Sequence, residues 1–300
     1  MLATMRIMAA CAVGAAALSV TAPAQAVTYH GYHIMPTASY LARLAKSGHA
    51  PVNTALPMNY YGGSVFSSVK LVSVMWGDTV NPTIVAAIPG FSGAIVNSTY
   101  VDKMGEYGTH LQGINGHKGT NQDIARGTYL GQIQITPKNQ NTSLTDADVQ
   151  AELKYQIRKG NLPARDKNTL YMIYFPVTVS INLDGLQSCV DFGAYHFASI
   201  DTKIARKRNI FYAVEPDCHS SINSITFAAS HEYAEATTDN VPTPGSFPDF
   251  PQAWNDSSGF EVGDKCGGSG QLTAGSSHWT VTQFFLNSTG ACSTGNYTSP

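Results

Sequence analysis

The sequence is poor in charged residues, in cysteine and in long apolar segments. Lysine, arginine, aspartate and glutamate make up only 13% of the 300 residues, and the formal net charge is −2. Because the sequence has no basic stripe, nucleic acid is not expected as a partner. After residue 26 there is no stretch of about 18 apolar residues, so we expect no membrane anchor.

Motifs of several common catalytic sites are also missing. The sequence contains no G-x-x-x-x-G-K phosphate loop, and the G-F-S-G segment at residues 90–93 is one residue short of the G-x-S-x-G elbow of serine hydrolases. No C-x-x-C pair occurs, which argues against a zinc site made of four cysteines. These absences disfavour phosphate-binding and serine-nucleophile mechanisms.

Residues 1–26 have the pattern of a secretory leader. Arg6 gives a basic start, residues 7–20 are apolar and small, and A-Q-A at residues 24–26 is a cleavage signal. We therefore expect a secreted or periplasmic protein. The 15 tyrosines and 27 glycines are typical of loop-rich extracytoplasmic chains with polar surfaces.

Four cysteines follow the leader, an even number in a compartment expected to be oxidising. They are Cys189, Cys218, Cys266 and Cys292. Three pairings are open, and we favour nearest neighbours, Cys189 with Cys218 and Cys266 with Cys292. Each bridge would close a loop of roughly 30 residues and stabilise the fold by about 3 kcal/mol.

Hydrophobic periodicity and turn residues predict a mixed order of strands and helices. The predicted strands are residues 68–76, 128–136, 169–181 with a break or bulge at Pro176, 209–214, and a final strand at 279–286. The predicted helices are residues 40–45, a stretch from 82 that Pro89 and Gly90 interrupt, 92–107, 145–159 and 221–239. This order indicates a single α+β domain, a mixed sheet with packed helices, over residues 58–300. Residues 27–57 are expected to be an N-terminal arm or a pro-segment.

The helix predicted over residues 221–239 carries the motif S-H-E-Y-A-E-A at residues 230–236. Positions four apart on a helix lie above one another, so His231 and Glu235 project from one face, with Glu232 one step around. A histidine and a carboxylate at this spacing can hold a metal ion. The motif resembles the H-E-x-x-H helix of zincin peptidases, with Glu235 in place of the second histidine.

The third metal ligand is expected in the loop after this helix, where residues 254–266 carry three acids. Zinc sites of this class take two ligands from the helix and one from further along, and they leave a position for water. We predict Glu261 as that ligand, because it alternates with Phe260 and Val262 as in a short strand. Asp264 is the alternative.

The predicted reaction is hydrolysis by metal-activated water. The metal lowers the pKa of bound water toward about 7 and polarises a carbonyl, while Glu232 takes the proton and passes it to the leaving amine. His196 or Tyr195 would donate to the oxyanion, although a packed, hydrogen-bonded His196 is the simpler interpretation. Asp239 and Asp256 are expected to orient the histidine ligand or the loop without contacting the metal themselves.

Other metals fit an oxygen-rich ligand set as well. One histidine and two carboxylates resemble the facial triad of iron oxygenases, but the strand pattern expected for that site is missing. The main alternative to zinc is calcium held by a loop of four acids, Asp249, Asp256, Glu261 and Asp264. His30 and His33 could touch a metal, but we expect them to be surface residues.

Short motifs occur in a fixed order between residues 58 and 292. They are Y-Y-G-G at 60–63, the strand into Trp76-Gly77, Ser188-Cys189, G-A-Y-H at 193–196, the strand to Val214 and Cys218, the helix at 224–238, the acidic segment before Cys266, and the strand into Cys292. Together they resemble the EXORDIUM, or phosphate-induced protein 1, family of secreted cell-wall proteins. The resemblance implies an extracellular role and pairing of cysteines within each half, and it implies no catalytic residues.

The function that the sequence favours is a secreted metal-dependent hydrolase, most simply a zinc endopeptidase with a peptide or protein substrate. The alternative is a non-catalytic EXORDIUM-like protein that binds cell-wall glycan or a partner through aromatics such as Trp254, Trp279 and Tyr297. Convergence of the two helix ligands on a loop acid would separate these hypotheses.

Overall fold

A seven-stranded mixed sheet forms the centre of the protein. The computed structural model describes residues 27–29, 32–48, 56–200, 209–242 and 248–300 of the chain. The strands are β1 (Val27–Tyr29), β2 (Tyr32–Pro36), β3 (Asn59–Tyr60), β4 (Ser68–Trp76), β5 (Ala125–Ile135), β6 (Ser143–Thr145), β7 (Thr169–Phe175), β8 (Ser180–Leu183), β9 (Leu186–Gln187), β10 (Phe192–Ile200), β11 (Asn209–Pro216), β12 (Trp254–Asn255), β13 (Ser269–Ala274), β14 (Ser277–Thr282), β15 (Phe285–Leu286), β16 (Ala291–Cys292) and β17 (Asn296–Ser299). The helices are α1 (Ala38–Lys46), α2 (Pro82–Val96), α3 (Thr99–Met104), α4 (Asp146–Lys159) and α5 (Ile222–Thr238), and a turn of 3-10 helix (Gly105–Tyr107) follows α3. The predicted leader and His30 lie outside the described residues.

The central sheet has the strand order β1-β2-β10-β11-β7-β4-β5. Strands β11, β7, β4 and β5 are parallel, and β10, β2 and β1 continue the sheet by antiparallel pairing. Both faces are covered, which explains why β7 is apolar throughout and all seven of its residues are buried. This mixed sheet with packed helices confirms the predicted α+β class, and the chain forms a single domain.

Side chains on alternate residues enter two cores, one on each face of the sheet. Leu170 and Met172 of β7 enter the first core, which is covered by α2, α3, α5 and the small sheet β14-β13-β17. Tyr171 and Ile173 enter the second core, which is covered by α1, α4 and the small sheet β6-β8-β9. Helix α5 therefore lies on the first face, where it contacts β10 and β11.

Both disulfides form as predicted. Cys189 pairs with Cys218 and Cys266 pairs with Cys292, across 29 and 26 residues of sequence. The first bridge joins the segments that precede β10 and follow β11, and the second joins the loop after α5 to β16. The pairing rules out a zinc site made of four cysteines and suggests an oxidising, extracellular-type environment.

In the described part of the chain, no single helix is both long enough and apolar enough to cross a membrane. One bent pair of helices, residues 82–96 with 99–107, passes the same test by length and composition alone.

Helix α2 continues through Pro89 and Gly90, so the predicted interruption there was wrong. The residues on either side, Ile88 and Phe91, are fully buried, and the hydrophobic packing of α2 holds the helix together across the proline. The second helix predicted over residues 92–107 does not form as one unit. Its first part belongs to α2, and α3 is a separate short helix with its own cap.

Two predicted strands have different outcomes. The apolar run at residues 169–181 breaks at Pro176, as expected, into β7 of the main sheet and β8 of a small one. The strand predicted at residues 279–286 was wrong, because the chain divides into β14 and β15 and two further strands follow. The Gln283 N–H still donates to the Gly268 carbonyl in the register of β13 and β14, whereas the Phe285 N–H donates to the Val262 carbonyl, so the backbone changes partner between these residues.

The tyrosines lie in the interior, not on a polar surface as the composition suggested. Nine of the twelve largest fully buried side chains are tyrosines: Tyr60, Tyr100, Tyr107, Tyr171, Tyr174, Tyr195, Tyr212, Tyr233 and Tyr297.

Candidate metal centre

Helix α5 forms where the sequence predicts it, but it is buried around most of its circumference. The Ser221 side chain accepts a hydrogen bond from the Ser224 N–H and caps its first turn. The sequence suggested that His231 and Glu235 lie at the border of an apolar face. The structure instead places both, together with Glu232, at 1% exposure or less, because the sheet covers one side of α5 and β14 another.

His231, Glu235 and Asp264 form the first cluster of side chains able to bind a metal, here called the His231 cluster. His231 Nε2 lies 3.1 Å from Glu235 Oε1 and 3.4 Å from Asp264 Oδ1. The Asp264 N–H also donates to Glu235 Oε1 at 3.1 Å, which fixes the loop to the helix. The two predicted helix ligands thus meet a loop acid, and that acid is Asp264 and not the preferred Glu261.

The spacing within the His231 cluster matches that of ion pairs and also that of ligands around a shared cation. A tetrahedral zinc site with bonds of about 2.0–2.1 Å has neighbouring ligand atoms about 3.3 Å apart. Neither ring nitrogen of His231 has a hydrogen-bond partner among the described residues. Gly263 makes this approach sterically feasible, because a Cβ there would lie 2.8 Å from His231 Nδ1 and 2.9 Å from Glu235 Oε1.

His196 lies on β10 and contacts Glu232. Its Nε2–H donates to the Asp239 carbonyl at 3.1 Å, so the neutral ring presents an unprotonated Nδ1 to Glu232 Oε2 at 3.3 Å. His196 is thus packed and hydrogen-bonded, which was the simpler of the two interpretations from sequence, and it is placed to position Glu232 instead of donating to an oxyanion. Tyr195 points to the opposite face of the sheet, where its hydroxyl donates to Asp146.

Glu261 lies beside a different pair of histidines. Its Oε2 is 3.2 Å from His33 Nδ1, and its Oε1 is 3.6 Å from His196 Nε2. Phe260 and Val262 are buried like Glu261 and no strand forms there, so the predicted alternation was wrong. His33 is only 2% exposed, so its prediction as a surface residue was also wrong.

Asp239 and Asp256 organise the loop that follows α5. Asp239 accepts hydrogen bonds from the Ala253 N–H at 3.0 Å and from Asn255 Nδ2 at 2.7 Å. Asp256 accepts from Lys265 Nζ at 2.6 Å. Asp239 therefore supports the His196 ring through its carbonyl and the loop through its carboxylate, whereas Asp256 acts on the loop alone.

The predicted calcium loop does not assemble from its four acids. Asp256 is neutralised by a lysine, and Asp249 accepts a hydrogen bond from Asn115 at 2.6 Å. Of the four, only Glu261 and Asp264 belong to a potential metal-ligating group among the described residues.

The buried carboxyls of Glu232, Glu235, Glu261 and Asp264 have no lysine or arginine partner among the described residues, and their ion pairs are with histidines. Burial and the charge of Asp264 raise the pKa of Glu235 to about 8. Burial and neighbouring carboxylates hold the pKa of Glu261 well above its usual range. Since an uncompensated buried carboxylate is costly, these groups must take up protons or cations.

Glu215 was not predicted as a residue of this region, and His33 was considered as a metal contact but expected at the surface. Glu215 lies on β11 at 2% exposure, neither carboxyl oxygen has a hydrogen-bond partner among described residues, and burial and the charge of Glu232 raise its pKa well above the usual value. The sequence signal for Glu215 was a glutamate that continues an apolar strand. Strand β2, which carries His33, is too short for its sequence pattern to show which side chains face inward.

Comparison of the chain with protein-family models, curated proteins and solved structures gives no match. The arguments about function that follow therefore rest on the geometry of the site.

Proposed function

We propose that this protein is a metal-dependent hydrolase, most simply a zinc endopeptidase that works in an oxidising compartment. His231, Glu235 and Asp264 are the ligands, and Glu232 is the general base. A bound zinc ion supplies Lewis acidity and lowers the pKa of coordinated water toward about 7. The suspected relation to the EXORDIUM family adds an extracellular cell-wall setting to the same proposal.

The observation that supports this proposal is the position of Glu232. One of its carboxyl oxygens lies within 4.8 Å of a Glu235 oxygen, and Oε1 is fully buried without a hydrogen-bond partner among described residues. Burial raises the pKa of Glu232 to about 8, close to the value at which a general base works best near neutral pH. His196 holds the other oxygen, so the carboxyl has a fixed orientation.

The test combines metal analysis with a hydrolysis assay on unfolded protein substrates. We expect bound zinc in the purified protein and a rate loss of about 10²- to 10⁴-fold in Glu232→Gln with the metal retained. Glu152→Gln is the matched control, because Glu152 is also a buried glutamate but lies on α4, on the other face of the sheet. A metal-free wild type, or equal rates in the two variants, would refute the proposal.

Complete burial of the site favours a second candidate, a structural metal centre in a non-catalytic EXORDIUM-like protein. In that case we expect chelation to unfold the protein, and we expect no hydrolysis with or without the metal. Two of the aromatics proposed to stack on sugars are buried. Trp254 packs on Tyr60 and Tyr107, and Tyr297 is 1% exposed. Only Trp279 stays partly exposed, and retention on insoluble glycan that Trp279→Ala abolishes would support this candidate.

A further inference from the structure

We propose that the chain binds a second divalent cation, most simply zinc, between His33, Glu261 and Asp264. These three residues are here called the His33 cluster. The proposal extends the proposed function and shares with it only the residue Asp264. It does not require the protein to be a hydrolase.

The His33 cluster has the composition and spacing of a metal site. One nitrogen of His33 and one oxygen of each acid lie within 4.8 Å of one another, and all three residues are at 2% exposure or less. The shortest separation, 3.2 Å between His33 Nδ1 and Glu261 Oε2, is close to the distance of about 3.3 Å expected between ligands of tetrahedral zinc. One imidazole and two carboxylates suit a divalent cation of the first transition series.

Hydrogen bonding does not account for the way these atoms face each other. His33 Nδ1 and both carboxyl oxygens of Glu261 are buried without a hydrogen-bond partner among described residues. A cation between His33 Nδ1 and the Glu261 carboxyl would give these buried atoms a partner.

Side chains around His33 and Glu261 fix the geometry of the cluster. The Gln252 side-chain Nε2–H donates to the other ring nitrogen, Nε2, at 3.2 Å, which holds the ring in orientation and leaves the ring proton on Nδ1, from which a bound cation would displace it. On the Glu261 side, Oε1 faces His196 Nε2 at 3.6 Å. The Glu261 N–H donates to Asp264 Oδ2 at 2.8 Å, which keeps the two acids of the cluster together.

Asp264 connects the two clusters. Its Oδ1 faces His231, and its carboxylate is also the one shared with His33. A carboxylate shared in this way is the arrangement of two-metal sites, where the ions lie about 3.5–4 Å apart. Two cations would also neutralise the carboxyls that the clusters bury together.

The second site has a consequence for the N-terminal segment. His33 lies on β2, which pairs with β10 of the main sheet, so a ligand from residues 27–57 would be part of the metal centre. The segment would then belong to the working protein and would not be a pro-segment that is removed.

The experiment uses the protein from residue 27 onward, after the predicted leader. Its zinc stoichiometry is measured by mass spectrometry after equilibrium dialysis. We expect two zinc ions per chain in the wild type and one in His33→Ala. His110→Ala is the matched control, because that histidine is exposed and pairs only with Asp123 among described residues. The control should keep both ions.

His231→Ala makes the two sites separable. One ion remaining in His231→Ala and none in the double variant with His33→Ala would support the proposal, even if no hydrolysis is found. A wild type that binds one ion or none, with unchanged stoichiometry in His33→Ala, would overturn it. Cobalt replacement provides a second measurement, since loss of about half of the visible absorption in His33→Ala is expected only if His33 is a ligand.

Discussion

The two faces of the sheet each bury carboxyl groups, but they treat them differently. On the α4 face, Asp146 Oδ1 accepts hydrogen bonds from the Tyr195 and Tyr212 hydroxyls, each at 2.7 Å, and Oδ2 accepts from Gln150 Nε2 at 2.7 Å. On the α5 face, neither oxygen of Glu261 has a hydrogen-bond partner among described residues.

The difference separates a structural acid from a candidate ligand. Burial is similar in the two places, at 4% exposure for Asp146 and 0% for Glu261, so burial alone does not identify a site. What differs is the chemistry of the neighbours, which are hydroxyl and amide donors around Asp146 and histidines and other acids around Glu261. Donors satisfy a carboxylate without an ion, whereas acids buried together without such donors favour uptake of a proton or a cation.

Removal of metal should have the largest effect and should act on the α5 face alone. A site loaded at about 1,000 times its dissociation constant stabilises the native state by about 4 kcal/mol, which corresponds to a fall of roughly 10 °C in Tm on chelation. Thermal unfolding with and without EDTA measures this shift. The same fall should occur in Asp146→Asn, and an EDTA-insensitive wild type would contradict the metal interpretation of the α5 face.

Neutralising one acid on each face should give stability changes of opposite sign. Asp146→Asn replaces an acceptor of Gln150 by a second donor and should cost about 1–3 kcal/mol. Glu261→Gln in the metal-free protein removes a buried carboxyl whose raised pKa costs stability at neutral pH, and should stabilise the protein by about 1 kcal/mol. Urea unfolding at pH 7.5 in EDTA measures both, and destabilisation by both variants would mean that Glu261 has partners like those of Asp146.

The contrast between the faces also explains how much could be predicted from sequence. Helix α5, its cap at Ser221 and the meeting of His231 with Glu235 follow from local spacing, which a helix fixes. Helix α4 was likewise predictable from its capping box at Thr145 and the left-handed Gly160 at its end.

The remaining site residues depend on contacts between distant segments, which no local pattern encodes. His33 reaches Glu261 only because β2 pairs with β10, and Asp264 replaces Glu261 near His231 because a loop folds without strand geometry. Pro89 was misleading for the same reason, since burial of the apolar face of α2 overrides a local helix breaker.

A methyl group at Gly263 should disturb the α5 face without replacing any proposed ligand. Alanine there would press on His231 Nδ1 and Glu235 Oε1, and we expect about 10- to 100-fold weaker zinc binding, as for other changes to the support of ligands. Competition with a zinc chelator measures the affinity. Gly93→Ala is the control, because its Cβ would meet only Tyr129 at 3.9 Å, and in α2 it should stabilise by roughly 0.5–1 kcal/mol.

The smallest expected effect is a dependence of Tm on pH, which should reverse when metal binds. Burial raises the pKa of Glu232 and of Glu235 from 4.5 to about 8, so their contribution to stability is present below pH 4.5 and is lost as the pH rises through 8. Burial lowers the pKa of His33 from 6.5 to about 4, so above pH 6.5 it is neutral in both states and adds no slope.

Between pH 6.5 and 8 the metal-free protein should therefore lose a few degrees of Tm. Zinc needs deprotonated carboxylates, so the zinc-saturated protein should keep or gain stability over the same range. Differential scanning calorimetry in EDTA and in zinc measures the two slopes, and Glu232→Gln should reduce the metal-free one. Parallel slopes in the two conditions would show that protons, and not cations, neutralise this face of the sheet.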